Sequence, residues 1–503
     1  MLSPKDKFFS ADHLKAGLKE RAVKSAGITL VAQAIKLILQ VGSIVILARL
    51  LEPTDFGLIA MVTVFTGLAL QFMEGGLSMA TIQRDQITHG QVSNLFWINA
   101  GLGAGMCVLG ILAAPLVANL YDEPRLTLIM ATMSLTFLIG GLSVQHDAIL
   151  RRQMRFRAIS VIDITSMALG IIAGIIAAFG ELGYWALVIS TVITFLTKTI
   201  FRWISTAWFP SLIRRGTGVR PMLNFGVNLL GANFVGYFAN NITPFAVAYI
   251  GGAQSMGLYN RANTITSIPS KQLLPPLMNV MQPTLARVAQ NPERLRTTII
   301  SLMGKIVLCT MFLTITMATL ADWIVELFLG AGWSGVVPIF RMLAIFSFVE
   351  PIAGLLAVSL IAVGNAKALL HWKVITLGIL ILSIAIGAFW GAFGVVAAYA
   401  LSGVFIRLPL FLYYASRFLP VSFADFTKAL FPAIFCAAGT VLVLYVFRQF
   451  YTFENPIIGL LYTLPIAVVS YIALGLSLKA TRAEILGTIK ILKLLKIKPR
   501  GRK

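Results

Sequence analysis

Apolar runs long enough to cross a bilayer recur along nearly the whole of this chain. Such runs leave few choices of fold. Backbone in hydrocarbon must satisfy its own hydrogen bonds, so each run becomes a helix packed on its neighbours. The runs read as spans over 27–50, 56–80, 94–119, 126–147, 158–179, 182–204, 222–250, 255–283, 297–321, 336–363, 369–390, 393–416, 428–450 and 457–478. The expected fold is an all-α polytopic membrane protein of about 14 transmembrane helices. Composition agrees: 12% of the 503 residues are charged, against about 25% in a typical soluble domain.

The connections set the orientation. One set is basic: Arg84; Arg151, Arg152, Arg155 and Arg157; Arg202, Arg214, Arg215 and Arg220; Arg287, Arg294 and Arg296; Lys367 and Lys373; Arg417 and Lys428. The other set is short and poor in base: Glu52 and Asp55; Asp122, Glu123 and Arg125; Glu181; Asp322 and Glu326; Arg448 and Glu454. The sets alternate, which places both termini in the cytoplasm. This bias accounts for most of the formal net charge of +22; the remainder attracts an anionic substrate or anionic headgroups.

The first hairpin, Gly27 to Arg84, carries polar groups where lipid-facing residues are expected. Lys36 shares a helix face with Gln33 and Gln40, and Gln71 and Glu74 lie on the second helix. A second turn resembles it: Gly57-Leu58 and Gly257-Leu258 stand 200 residues apart at corresponding places in the hydropathy pattern. Gly183 and Gly394 stand 211 apart in the same way. Two copies of six spans return the chain to its starting side, so they form parallel six-helix lobes around a central cavity. The expected division is a cytoplasmic amphipathic segment at 1–26, an N-lobe at 27–220, a C-lobe at 221–420, two C-terminal helices at 421–480 and a basic cytoplasmic tail at 481–503.

Enzyme signatures are absent: no Walker-type glycine loop, no HExxH and no Cys/His cluster with ligand spacing. No cofactor, metal or nucleic-acid partner is expected. Cys107, Cys309 and Cys436 read as small buried hydrophobes, and His13, His89, His146 and His371 as solvated histidines of the tail or helix ends. Gly170/Gly174 and Gly387/Gly391 match GxxxG and read as close helix packing.

The chemistry lies in ionisable groups at membrane depth, each costing about 2.5–3.5 kcal/mol at the bilayer centre on insertion scales. Lys36, Arg261, Lys271, Lys305 and Arg341 are the basic ones; Glu74, Asp163 and Glu350 are acidic. Internal ion pairing, such as Lys36 with Glu74, competes with a ligand role, and Lys305 and Arg341 lie where snorkelling also explains them. Arg261 is the leading candidate, with Asn260 and Asn263 in a polar helix broken by Pro269, Pro275, Pro276 and Pro283. Asn224, Asn228, Asn233, Asn240 and Asn241 on the preceding span suit a sugar-rich headgroup or interhelical bonding. The candidate cavity residues are Lys36, Glu74, Asn228, Asn240, Arg261, Lys271 and Arg341, with Glu74 and Asp163 as candidates for ion coupling.

The run Ala48-Arg49-Leu50-Leu51-Glu52-Pro53-Thr54-Asp55-Phe56-Gly57-Leu58, followed by Glu74-Gly75-Gly76-Leu77, resembles the start of polysaccharide transporters in the multidrug/oligosaccharidyl-lipid/polysaccharide exporter superfamily. The likeness extends over the chain, including Gly257-Leu258-Tyr259-Asn260-Arg261-Ala262, and is nearest the exporters of exopolysaccharides such as colanic acid. The resemblance implies a flippase of the bacterial inner membrane. It would carry undecaprenyl-pyrophosphate-linked oligosaccharide to the periplasmic leaflet by alternating access. Its implied partners are that substrate, membrane lipids, and the polymerase or chain-length machinery of the same pathway. Two rivals remain. A drug/cation antiporter of the superfamily would need a cavity dominated by carboxylates. A membrane polymerase or glycosyltransferase would carry a large periplasmic loop or paired catalytic carboxylates, and the sequence shows neither.

Overall fold

The computed structural model describes residues 18–74, 77–84, 86–213, 220–451, 453–478 and 482. They are helical throughout, with no strand among the described residues. The chain divides into two compact units, Met1–Gly257 and Leu258–Lys503. Among the described residues ten helices are long and apolar enough to cross a membrane, or eleven if the bent pair Arg125–Gly141 and Val144–Arg152 is one span. The chain is a multi-pass membrane protein.

The first unit comprises α1 (Leu18–Leu50), α2 (Pro53–Glu74), α3 (Leu77–Gln83), α4 (His89–Leu120), α5 (Arg125–Gly141), α6 (Val144–Arg152), α7 (Phe156–Phe179) and α8 (Trp185–Thr206), with the start of α9 (Arg220–Val288). Helix α4 begins on a capping box legible in the sequence: Thr88 Oγ1 accepts from the Gln91 amide at 3.3 Å, and Gln91 Oε1 accepts from the Thr88 amide at 3.1 Å. Small residues then set how closely the helices approach. A Cβ on Gly103 would stand 2.6 Å from the Phe137 carbonyl oxygen, so α4 and α5 meet backbone to backbone. The first GxxxG does the same for α7 and α8, where a Cβ on Gly170 would lie 2.6 Å from the Ser190 carbonyl oxygen.

Helix α9 runs for 69 residues, roughly 100 Å if unbroken, far more than the ~30 Å hydrocarbon core. It is broken at Gly252, with φ 66° and ψ −168°, a conformation that favours glycine. The stretch before and after this break lies antiparallel to α2. Tyr237 Oη donates to the Val64 carbonyl at 2.6 Å, and Phe245 meets Phe65 edge to face. Beyond them the contact becomes reciprocal. A Cβ on Gly57 would stand 1.7 Å from the Ala253 carbonyl oxygen, and one on Gly257 would stand 1.8 Å from the Pro53 carbonyl oxygen. The two Gly-Leu pairs spaced 200 residues apart lie within helices rather than in turns, and their glycines touch each other's helix backbone.

The second unit contains the rest of α9 and then α10 (Pro292–Thr319), α11 (Ala321–Leu329), α12 (Val336–Phe346), α13 (Val349–Ala362), α14 (Ala366–Gly387), α15 (Gly391–Ser402), α16 (Leu408–Ser416), α17 (Phe423–Phe450) and α18 (Pro456–Ser477). Its core joins Ile299, Met303 and Val307 of α10 to Leu355 of α13, Phe411 of α16 and Phe426 and Cys436 of α17. Tyr471 of α18 joins the same core and donates to the Leu308 carbonyl at 2.8 Å. The last two helices are thus built into this unit. The second GxxxG departs from the packing expectation at one of its glycines. Gly387 does pack, since its Cβ would lie 2.5 Å from the Gly394 carbonyl oxygen, but Gly391 has φ +69° with open space around it. It turns the chain between α14 and α15. Cys107 and Cys436 are buried as expected, whereas Cys309 is exposed, on an outward position of α10.

Replacing Gly57 by alanine drives a methyl group into the Ala253 carbonyl. The expected result is a lower melting temperature, from a loss of about 1–3 kcal/mol. Gly42→Ala, which meets nothing within 4 Å, should leave melting unchanged or raise it. Equal melting of the two variants would contradict the close approach.

Candidate functional site

A network of four cations and two carboxylates lies inside the first unit. On α8, Thr194, Lys198 and Arg202 recur every fourth residue and share one face. The Gly170/Gly174 contact with α8 draws α7 in, and this brings Asp163 of α7 against Lys198 at 2.9 Å. Lys36 of α1 reaches the other Asp163 oxygen at 3.5 Å. Asp163 is thus shared between two lysines and is itself only 21% exposed. The partner of Lys36 is Asp163. Glu74, the alternative weighed from sequence, has a side chain outside the described residues.

One turn along α8 the pattern repeats. Asp147 of α6 receives Arg202 Nη2 at 2.7 Å and Arg151 Nε at 2.6 Å. Arg202 Nη1 also donates to Ser143 Oγ at 3.1 Å. Asp147 and Arg202 are 16% and 14% exposed, so neither charge is dissolved in bulk water. Each carboxylate therefore holds two cations, and four cations share two acids. A cavity of about 490 Å³ opens beside this network, bounded by Ser78 and Leu70 and by Asp147, Arg151, Lys198 and Arg202.

The cavity wall is pinned by a buried arginine. Arg152 Nη1 donates to the carbonyls of Thr81, at 3.0 Å, and of Arg84, at the end of α3. A cation at a helix C-terminus is favourable. Thr81 Oγ1 also donates to Gln145 Oε1 at 2.8 Å, fixing α3 to α6. Next to it His146 is fully buried. Its Nδ1 lies 2.7 Å from Thr206 Oγ1, and its ring packs on Trp203, Trp208 and Phe96. This overturns the expectation of a solvated histidine. The aromatic residues that enclose it come from α4 and the end of α8, distant in sequence.

The remaining sequence candidates are not gathered with this network. Arg261 is half-buried in α9, and its Nη2 donates to Asn260 Oδ1 at 2.7 Å. Lys271 is exposed and close enough to Glu350 to act on it electrostatically. Arg341 and Asn240 are exposed. The Asn228 side chain lies outside the described residues, and Asn241 donates to the Tyr237 carbonyl of its own helix at 2.9 Å. Lys305 donates to Ser301 Oγ at 2.9 Å.

Residues 46–338 match the family model described as "Polysaccharide biosynthesis protein". The chain belongs to this family. Among relatives of this polysaccharide biosynthesis protein is the lipopolysaccharide biosynthesis protein WzxC of Escherichia coli K12, 23% identical over 435 residues, covering 85% of this chain and 88% of the relative. The teichuronic acid biosynthesis protein TuaB of Bacillus subtilis is 27% identical over 337 residues, covering 67% and 70%. The succinoglycan biosynthesis transport protein ExoT of Rhizobium meliloti is 24% identical, covering 66% and 67%. Among solved structures, the lipid II flippase MurJ in an inward closed conformation matches with TM-score 0.69 at 14% identity, over 90% of this chain and 98% of that one. An inward-facing multidrug MATE transporter matches with TM-score 0.54 at 14% identity, over 78% and 95%. These likenesses fix the fold as that of the MurJ and MATE transporters.

Sequence reasoning missed three members of this polysaccharide biosynthesis protein's charged interior. Lys198 and Arg407 are lone cations inside apolar runs, the same signal that singled out Lys36. Asp147 is the last residue of the run read as a span over 126–147, next to the basic connection that holds Arg151. Arg407 ends a π-helical turn, Gly403–Arg407, of a kind often found at functional sites. Its guanidinium lies 5.2 Å and 4.8 Å from the rings of Phe346 and Tyr399, and Nη2 donates to the Tyr399 carbonyl at 2.6 Å.

Asp163→Asn leaves two lysines without their carboxylate. A loss of about 1–3 kcal/mol is expected, discounted from the ~3–5 kcal/mol of a fully buried pair because these groups are partly exposed. Lys36→Gln should cost less, since Lys198 still holds Asp163. Lys36→Glu should cost more than Lys36→Gln, because it sets a second carboxylate beside Asp163. Thermal melting in nanodiscs reads all three, and equal melting of the two Lys36 variants would remove Lys36 from the network.

Proposed function

We propose that this chain is a flippase that moves undecaprenyl-pyrophosphate-linked oligosaccharide repeat units across the bacterial inner membrane, for exopolysaccharide or lipopolysaccharide synthesis. Three relatives bear names that place them in polysaccharide biosynthesis or transport, and MurJ is named a lipid II flippase. The observation that carries the reading is the ion network of the first unit. Four cations share two carboxylates where α1, α6, α7 and α8 meet, from the spans to the basic connections at Arg151 and Arg202. A glycan diphosphate is too polar to enter hydrocarbon alone, and an excess of positive charge along its route lowers that cost. An exporter of organic cations would need the opposite balance.

In this reading the protein is a transporter and not an enzyme. Spans 1–6 and 7–12 form parallel six-helix lobes at 27–220 and 221–420, which alternate access to a cavity between them. Helices 13 and 14 follow at 421–480. Fourteen passes follow if the bent α5–α6 pair is one span, if the 51-residue run Ala366–Ser416 divides at Gly391, and if α9 divides at Gly252. Both termini face the cytoplasm. Lys36, Glu74, Asn228, Asn240, Arg261, Lys271 and Arg341 line the substrate route, with Glu74 and Asp163 available for proton coupling.

In a strain lacking the chromosomal copy, the wild-type chain should restore surface polymer and clear lipid-linked repeat units from the inner leaflet. Arg261→Ala should reduce export several-fold at normal membrane expression; undiminished export would remove Arg261 from the route. Cysteines placed at Asp55 and Glu181 should react with an impermeant thiol reagent from the periplasm. Protection there, with labelling at the exposed Arg155, would invert the topology.

A further inference from the structure

Four arginines stand in and beside the connection from α6 to α7, and three of them have partners. Arg151 pairs with Asp147 at 2.6 Å, Arg152 donates to the Thr81 carbonyl at 3.0 Å, and Arg155 Nη1 donates to the Ser205 carbonyl at 2.8 Å. Arg157 has neither an ion pair nor a hydrogen bond among the described residues, and neither has the Ser160 hydroxyl one turn further on.

Arg157 and Ser160 open onto a groove of about 460 Å³ between α1 and α7. Beyond them the α7 wall is Val161 and Ile164, and Val31 and Ile35 face it from α1. Small residues make the hollow. Ala32 is its buried member, and a Cβ on Gly27 at its mouth would meet nothing within 4 Å. Val31 and Val161 are 61% and 53% exposed, so the groove lies open along one side.

The groove begins at the membrane interface, because Gly27 and Phe156 open the apolar stretches Gly27–Leu50 and Phe156–Phe179. It runs inward over Gly27–Ile35 and stops at the level of the Lys36–Asp163 pair. At 1.5 Å per residue that is about 12 Å, nearly one leaflet of the ~30 Å hydrocarbon core. Apolar contact alone selects no ligand here, because the competing lipid tails are equally apolar. Selection must come from the interface end. There Arg157 offers a guanidinium whose planar fork matches phosphate oxygens, and Ser160 offers a hydroxyl. No side chain caps the first turn of α7, so the positive end of its dipole lies at the same place.

We propose that the α1–α7 groove holds one anionic phospholipid, its phosphodiester on Arg157 and Ser160 and one acyl chain between the helices. A straight acyl chain is about as long as the groove, whereas an undecaprenyl chain is several times longer. The bound lipid braces α1 against α7 on the interface side of Lys36. The assignment does not depend on the flippase reading.

Purified full-length protein in detergent is titrated with phosphatidylglycerol and with phosphatidylethanolamine of the same acyl chains. Bound lipid is counted by native mass spectrometry, alongside the shift in melting temperature. Wild type should retain one phosphatidylglycerol at a concentration about fivefold or more below that needed for phosphatidylethanolamine. Arg157→Gln should bring the two lipids to within about twofold of each other, and Arg157→Lys should keep part of the preference. Gly27→Leu, which fills the mouth of the groove, should weaken both lipids. Lys373→Gln, in the second unit, should behave as wild type does. The proposal is overturned if wild type retains both lipids alike, or if Arg157→Gln, melting cooperatively, keeps the wild-type preference. Unchanged binding by Gly27→Leu would show that no chain enters the groove, and loss of the preference in Lys373→Gln would reduce it to net charge; either result sinks the proposal. So does displacement of phosphatidylglycerol by equimolar undecaprenyl phosphate, which would give the groove to a prenyl chain.

Discussion

A charge held at membrane depth needs a partner, and in the first unit that requirement governs which helices must meet. Asp163 can serve Lys36 and Lys198 together only if α1, α7 and α8 converge on one point. The convergence is made by residues with almost no side chain. Gly170 and Gly174 let α7 lie on the backbone of α8, and the approach delivers the carboxylate to the ammonium. The electrostatics depends on the packing, and the packing is set by where glycine occurs. The same logic recurs at α6, where Asp147 joins Arg151 of its own helix to Arg202 of α8.

Much of this was legible in the chain before any coordinates. Spans follow from runs of apolar residues, because hydrocarbon tolerates no unsatisfied backbone. The matched Gly-Leu pairs at Gly57 and Gly257 were visible, although both prove to lie within helices, and the start of α4 falls at His89, before the apolar run read from 94. What the sequence withheld was pairing. Lys36 has a carboxylate on the next helix of its hairpin, Glu74, and that proximity in sequence drew attention away from Asp163, 127 positions further along, which Lys36 reaches in the structure. Lys198 was overlooked among the threonines and aromatics of an apolar run. His146 reads as polar because Gln145, Asp147 and Arg151 lie near it in sequence, whereas in space it is enclosed by tryptophans. Periodicity reports which face of a helix is apolar. It does not report what that face meets.

Buried cations are met in different ways. In the first unit, carboxylates hold Lys198 and Arg202, and backbone carbonyls hold Arg152. In the second, Arg407 lies between Phe346 and Tyr399 and donates to the Tyr399 carbonyl, so ring electrons and a peptide dipole do the work of an acid. Arg448 combines both devices, pairing with Asp322 while lying 4.3 Å from the Trp323 ring. Arginine suits such sites because its charge is delocalised and weakly hydrated.

The seam between α2 and the stretch around Gly252 ends in an unusual contact, in which peptide groups of Pro53, Gly57, Ala253 and Gly257 touch with no side chain between them. Interdigitated side chains must change rotamer before two helices can part, and that step slows separation. Here nothing interlocks. Resistance to parting comes from a short list of directional bonds, such as Tyr237 to Val64, and from the apolar area withdrawn from solvent or lipid. A contact of this kind also fixes the register of the two helices, because the carbonyl of one fits only where the other lacks a Cβ.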